Sequence, residues 1–235
     1  MSTLNAKQYN AVLFDMDGVL IDSEPLWKIA MEEVFTSLGS RLTKTDFQRT
    51  VGLRIDQVVH YWNVQESWGI KEPTVVVDRI IDRMIALVAE NPFPLQGVLE
   101  TLEFLQSISF RIGLATSSPI RLMESVLQHM GIASYFHVAC SAETEMYGKP
   151  NPSVYLRAAE RLAVPPQTCL VIEDSLNGII SGKAAFMNVV CIPEKTHLIN
   201  PRISLADFQY ANMSEFLDDF RTSWNKPNSN GIVPL

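Results

Sequence analysis

The sequence predicts an α/β fold: an open parallel sheet with a small all-helical unit inserted directly after the first strand. Three observations carry the prediction. Short apolar runs rich in β-branched residues recur along the 235 residues, and helical periods separate them. One interval, Ser23 to Asn91, breaks that rhythm by reading as helix after helix.

The first run, NAVLFD (10–15), is nearly continuous in apolar character, as a strand covered on both faces should be. It ends in Asp15, with Asp17 two residues on, and burying such charges is costly unless something neutralises them. The helical interval follows as EPLWKIAMEEVFTSLG, TKTDFQRTVG, RIDQVVHYWNVQESWG and EPTVVVDRIIDRMIALVAEN, punctuated by Gly39, Gly52 and Gly69. NPFPLQG then returns the chain to the sheet. The expected division is a core of residues 1–20 and 93–235 and a helical cap of residues 21–92.

Beyond the interval, helix and strand alternate. VLETLEFLQSI (98–108) and IRLMESVLQHM (120–130) repeat apolar residues at three and four, the second ending at Gly131. RIGLATS (111–117), the shorter YFHVACS (135–141), TCLVIED (168–174) and NVVCIP (188–193) read as strands. PSVYLRAAERL (152–162) reads as a helix with Asn151 as N-cap and Pro152 in the first turn. Crossovers between parallel strands should be right-handed. The tail NKPNSNGIVPL (225–235) is polar and expected to be loosely ordered.

Composition limits the function. A net charge of -7 argues against a nucleic-acid or anionic-membrane surface, so an anionic ligand needs a locally cationic site. Cys140, Cys169 and Cys191 each lie in a strand-like run without zinc spacing and read as buried free thiols. The N-terminus lacks an apolar signal region and no stretch of eighteen apolar residues occurs, which predicts a cytoplasmic location.

In an open parallel sheet, ligands bind outside the carboxyl ends of the strands. Under that rule Asp15-Met16-Asp17-Gly18, Thr116-Ser117-Ser118, Lys149 of GKPNP and Glu173-Asp174 of EDSLNG converge on one edge, although scattered in sequence. Singly, each has an ordinary reading: a strand-to-turn pair, a strand-end hydroxyl, a solvated lysine, an acid pair at a helix N-terminus. An EF-hand loop is excluded, because Val19 and Leu20 stand where a third acid and glycine are needed.

Together FDMDGVLIDSE, GLATSS, GKPNP and VIEDSLNG resemble, in order and spacing, the four motifs of the haloacid-dehalogenase superfamily, over residues about 10 to 220. The helical interval resembles that superfamily's small cap on a Rossmann-like core. IDSEPLW with GLRIDQVVHYW is similar to the sugar-phosphate branch, that of the 2-deoxyglucose-6-phosphate and hexitol phosphatases, with β-phosphoglucomutase a close relative. The resemblance implies a phosphatase acting on a small phosphorylated metabolite through an aspartyl-phosphate, and a monomer is the expected state. It implies Asp15 as nucleophile and Asp17 as proton donor and acceptor. It assigns Mg²⁺ to the Asp15 and Asp174 carboxylates and the Asp17 carbonyl, with Glu173 a ligand or linked through water. Lys149, Thr116 and backbone N–H groups at Ser117 and after Asp15 would hold phosphate oxygens.

Within the cap, Arg54 matches a position where mutase-like relatives grip a distal phosphate, and reads equally as a solvated arginine at a helix start. Glu24 is a candidate contact for substrate hydroxyls at the cap–core hinge. Trp27, Tyr61, Trp62 and Trp68 read as sugar-pocket lining or, more simply, as core. The four histidines, His60, His129, His137 and His197, receive no catalytic role. Asp17 excludes a true dehalogenase, and no cap lysine announces a phosphonate hydrolase, Lys28 and Lys44 being the two left open. Gly148 stands where close relatives often carry serine. A mutase and a non-enzymatic module remain the rival readings.

Overall fold

The computed structural model describes residues 3–43, 45–50, 53–193 and 201–227; Lys44, Gly52, His197 and residues 228–235 of the tail lie outside them. Six parallel strands form one sheet in the order β3-β2-β1-β4-β5-β6. They are β1 (Ala11–Phe14), β2 (Arg111–Thr116), β3 (Val138–Ser141), β4 (Cys169–Glu173), β5 (Asn188–Cys191) and β6 (Phe208–Gln209). The β1 strand pairs with β2 on one side and β4 on the other. Strand order therefore reverses direction beside β1, which makes its carboxyl end the switch point.

Alternation along β1 explains its unbroken apolar run. Val12 and Phe14 join Ile112, Leu114, Leu170 and Ile172 in one hydrophobic cluster, whereas Ala11 and Leu13 join Ala115, Val171 and Val189 in another. Helices cover both faces. Leu102 and Leu105 of α4 (Val98–Ser107), Leu122 and Val126 of α5 (Ile120–His129) and Phe216 and Phe220 of α8 (Met213–Asn225) pack into the first cluster. Val154, Ala158 and Leu162 of α6 (Ser153–Leu162) and Ile179 of α7 (Leu176–Ala184) pack into the second. Each fully buried aliphatic side chain contributes roughly 1.5–3 kcal/mol.

Between β1 and α4 lie α1 (Glu24–Ser37), a 3-10 turn (Asp46–Thr50), α2 (Ile55–Gln65) and α3 (Pro73–Glu90). The segment TKTDFQRTVG, expected to be a helix like its neighbours, supplies only that 3-10 turn among its described residues. Phe47 is buried there against Phe35, so packing holds a segment too short to propagate an α-helix. The first cluster runs without a break from the sheet into Phe35, Trp62, Ile80 and Met84 of these helices. Arg121 of α5 pairs with Asp78 (3.5 Å) and Asp82 of α3. The Leu95 N–H donates to the Leu20 carbonyl (2.8 Å), so the chain leaves and re-enters the sheet layer side by side.

The three cysteines are buried and free, as expected. Among the described residues no helix is long and apolar enough to cross a membrane. Helix α6 begins one residue later than expected, yet the Asn151 side chain still accepts from the Ser153 N–H (3.0 Å).

Candidate active site

The motif residues meet at the carboxyl ends of β1, β2 and β4. Asp15 extends β1 by one residue, its N–H donating to the Ile172 carbonyl (2.9 Å). Lys149 arrives on the loop before α6 and is 6% exposed. Its ammonium donates to Asp15 Oδ1 (2.7 Å), Glu173 Oε1 (2.7 Å) and the Ala115 carbonyl (3.0 Å). Ring geometry adds a fourth contact: Nζ sits 4.7 Å from the centroid of Tyr155 on α6. The Tyr155 hydroxyl, fully buried, donates to the same Glu173 Oε1 (2.7 Å). Glu173 Oε2 accepts from the Asp174 N–H (3.1 Å) and from the N–H and hydroxyl of Ser175 (3.2 and 3.1 Å). Ser175 in turn caps α7, accepting from the Gly178 N–H (3.1 Å).

Carboxylate oxygens of Asp15, Glu173 and Asp174 all lie within 4.8 Å of one another. Gly18 makes that grouping sterically feasible: its φ is +71°, and a Cβ there would fall 2.2 Å from Asp174 Oδ2. Burial pushes the Asp15 carboxyl up to about 7 against the opposing pull of Lys149, with Glu173 and Asp17 adding to the rise. Burial also pushes Glu173 up, but Lys149 and the donors around it outweigh this and hold it below the usual range. The Lys149 ammonium, disfavoured by burial, is stabilised by Asp15 and Glu173 and stays protonated. Burial, followed by the charge of Glu173, raises the Tyr155 phenol well above its ordinary value, so it remains a donor.

Asp17 is held by three donors. Oδ1 accepts from the Ser23 hydroxyl (2.6 Å) and the Trp27 indole N–H (3.0 Å), and Oδ2 from the Ser118 hydroxyl (2.7 Å). Thr116 Oγ1 accepts from the Ser118 N–H (3.0 Å), which ties the end of β2 to the same group. The sequence placed Ser118 at the convergent edge without a partner, whereas Ser23 and Tyr155 carried no expected role. Trp27 read only as a sugar contact or core residue.

Cap candidates divide. The Arg54 guanidinium binds both oxygens of Asp56 (2.9 and 2.6 Å) and the carbonyls of Ala142 and Glu145 (3.1 and 3.2 Å), bridging α2 to the loop after β3. Gly148 makes room for it, since a Cβ there would lie 2.9 Å from Arg54 Cδ. Glu24 pairs with Lys28 one helical turn on (3.2 Å). Trp62 is buried, while Tyr61 and Trp68 pack edge-on or tilted against Trp62 and Phe35, so these three serve packing. His137 Nδ1 accepts from the Ile112 N–H (3.1 Å), a structural role.

Known proteins resemble this chain in sequence and in fold. A family model described as haloacid dehalogenase-like hydrolase matches residues 9–185. The chain is 40% identical over 210 residues to hexitol phosphatase B of Escherichia coli (strain K12), spanning 89% of this chain and 95% of that protein. It is 34% identical over 180 residues to a phosphorylated carbohydrates phosphatase of Thermotoga maritima, spanning 74% and 81%. Its fold matches that of β-phosphoglucomutase from Clostridium difficile with a TM-score of 0.76 at 22% identity, over 93% of this chain and all of that one.

Proposed function

The chain belongs to the haloacid dehalogenase-like hydrolase family, and from that premise we propose that it hydrolyses small sugar or polyol phosphates through an aspartyl-phosphate. The observation that carries the reading is the Lys149 ammonium joined to both Asp15 and Glu173 at 2.7 Å, beside the carboxylate of Asp174. A buried cation and clustered acids at one sheet edge suit an incoming phosphoryl group. The two phosphatases to which the chain is 40% and 34% identical support the substrate class.

In this reading Asp15 attacks phosphorus while Asp17 protonates the departing sugar oxygen. Asp17 then takes a proton from the water that hydrolyses the aspartyl-phosphate. Lys149, the Thr116 hydroxyl and backbone N–H groups at Ser117 and after Asp15 hold the phosphate oxygens. An all-oxygen donor set with carboxylates within 4.8 Å of one another fits Mg²⁺. The Asp15 and Asp174 carboxylates and the Asp17 carbonyl would hold the ion, with Glu173 beside them. When bound, it supplies positive charge that offsets repulsion between carboxylates and phosphate. The helices of residues 21–92 act as the cap that excludes bulk water, and the protein works as a cytoplasmic monomer.

The test is a phosphate-release screen of phosphorylated metabolites with Mg²⁺, run on the wild type and on Asp15→Asn. Release by the wild type and its loss in a folded Asp15→Asn variant is the expected result. Isomerised hexose phosphate without net phosphate release would replace hydrolysis by a mutase reaction. No turnover of any ester would leave a non-enzymatic module.

A further inference from the structure

Tyr155 has no part in the chemistry just described, yet its hydroxyl lies in the innermost layer of the site. It is fully buried on α6, six residues after Lys149, and one oxygen of Glu173 receives both its hydroxyl (2.7 Å) and the Lys149 ammonium (2.7 Å). Lys149 has three N–H donors, and all three are engaged: by Asp15, Glu173 and the Ala115 carbonyl. A phosphate oxygen must therefore win a share of that ammonium from one of these acceptors. Glu173 is the strongest competitor, a fully buried carboxylate whose charge falls off little with screening. The other Glu173 oxygen is already taken by Asp174 and Ser175 donors, so the Tyr155 hydroxyl is the group that shares Oε1 with the lysine.

We infer that Tyr155 is a positioning residue for phosphate binding: its hydroxyl offsets the hold of Glu173 on Lys149, and its ring supports the ammonium from below, so that Nζ stays available to an oxyanion at Asp15. The inference rests on the reading of Lys149 as a phosphate ligand and deepens it. A tyrosine kept only to fill the second core cluster would need its ring but not its hydroxyl, which separates the two roles.

The experiment titrates inorganic phosphate into the Mg²⁺-supplemented protein by calorimetry, alongside thermal unfolding. Tyr155→Phe keeps the ring but removes a buried hydrogen bond to Glu173, so the variant should stay folded with an unfolding temperature lowered by several degrees. Phosphate affinity should fall about tenfold, the scale of one hydrogen bond to a charged group. Tyr155→Leu, which also removes the ring, should weaken binding further. In a Glu173→Gln background, where the competing charge is gone, the Tyr155→Phe change should alter affinity by no more than about twofold. That background also keeps the inference testable if the single Phe variant folds poorly. Equal phosphate affinity in wild type and Tyr155→Phe overturns the inference alone, as does an undiminished Phe effect in the Glu173→Gln background. Failure of the wild type to bind phosphate overturns the phosphatase reading and the inference with it.

Discussion

At the scale of single residues, each acid of the Asp15-Met16-Asp17 turn has a different set of partners. Asp15 faces Lys149, whereas the donors to Asp17 among the described residues are the neutral groups of Ser23, Trp27 and Ser118. Two of those three donors belong to the start of the helical insertion. Fixing the Asp17 carboxylate limits the rotamers it can sample, which matters for a group that must meet a departing oxygen within hydrogen-bond reach. Trp27→Phe keeps most of the ring volume and deletes the N–H. It should lower kcat by about tenfold with a smaller change in KM, given the usual worth of a hydrogen bond to a carboxylate. Steady-state kinetics on the best substrate of the screen decide this, and an unchanged kcat would show that Ser23 and Ser118 suffice. The acids were legible in the sequence because charged residues at strand ends are conspicuous, and Lys149, on the loop before α6, was legible only through its place among the four motifs. Trp27 and Tyr155 were not, because EPLWKIA and SVYLRAA present them as ordinary members of an apolar helix face, and nothing in that pattern shows which polar tip meets a buried carboxylate.

At the scale of elements, strands with continuous apolar runs were legible and elements with weak patterning were not. The five expected strands form in the expected places, trimmed by a residue or more at their ends. Missed were β6, only two residues long, and α7, whose LNGIISGKA carries two glycines and little amphipathic contrast. Helix α8 lies outside the expected elements too, although its MSEFLDDFRTSWN buries Met213, Phe216, Leu217 and Phe220 at helical spacing. The loop between β3 and α6 shows what pattern reading cannot reach. Gly148 reads in the sequence only as a departure from the serine of close relatives, whereas in the fold it leaves room for the stem of Arg54. Gly148→Ala should push that side chain off the Ala142 and Glu145 carbonyls at a cost of about 1–2 kcal/mol. Urea unfolding measures the cost, and the same substitution in an Arg54→Ala background should be nearly neutral. A penalty that persists there would place the strain in the backbone of the loop.

At the scale of the whole molecule, the fold of a chain with net charge -7 buries one of its carboxylates, that of Asp15. That burial carries Asp15 from an ordinary value of 3.8 to about 7, and Lys149 only partly opposes the shift. A carboxyl raised by folding contributes stability that is present below its unfolded value and is lost as pH rises through the folded value. Without a cation, Asp15 should therefore contribute progressively less between roughly pH 4 and pH 7. Binding of Mg²⁺ requires the ionised form and must displace the proton, so affinity should climb by up to about tenfold per pH unit through that window and level off above it. Thermal unfolding with and without Mg²⁺, with EDTA as the reference, reads the effect directly. The stabilisation by Mg²⁺ should be small near ~pH 5, large near ~pH 8, and accompanied at ~pH 6 by release of about one proton, seen as a buffer-dependent heat in calorimetry. A Mg²⁺ stabilisation that does not change with pH would mean that Asp15 is already ionised in the metal-free fold, and that Lys149 outweighs the burial of its partner.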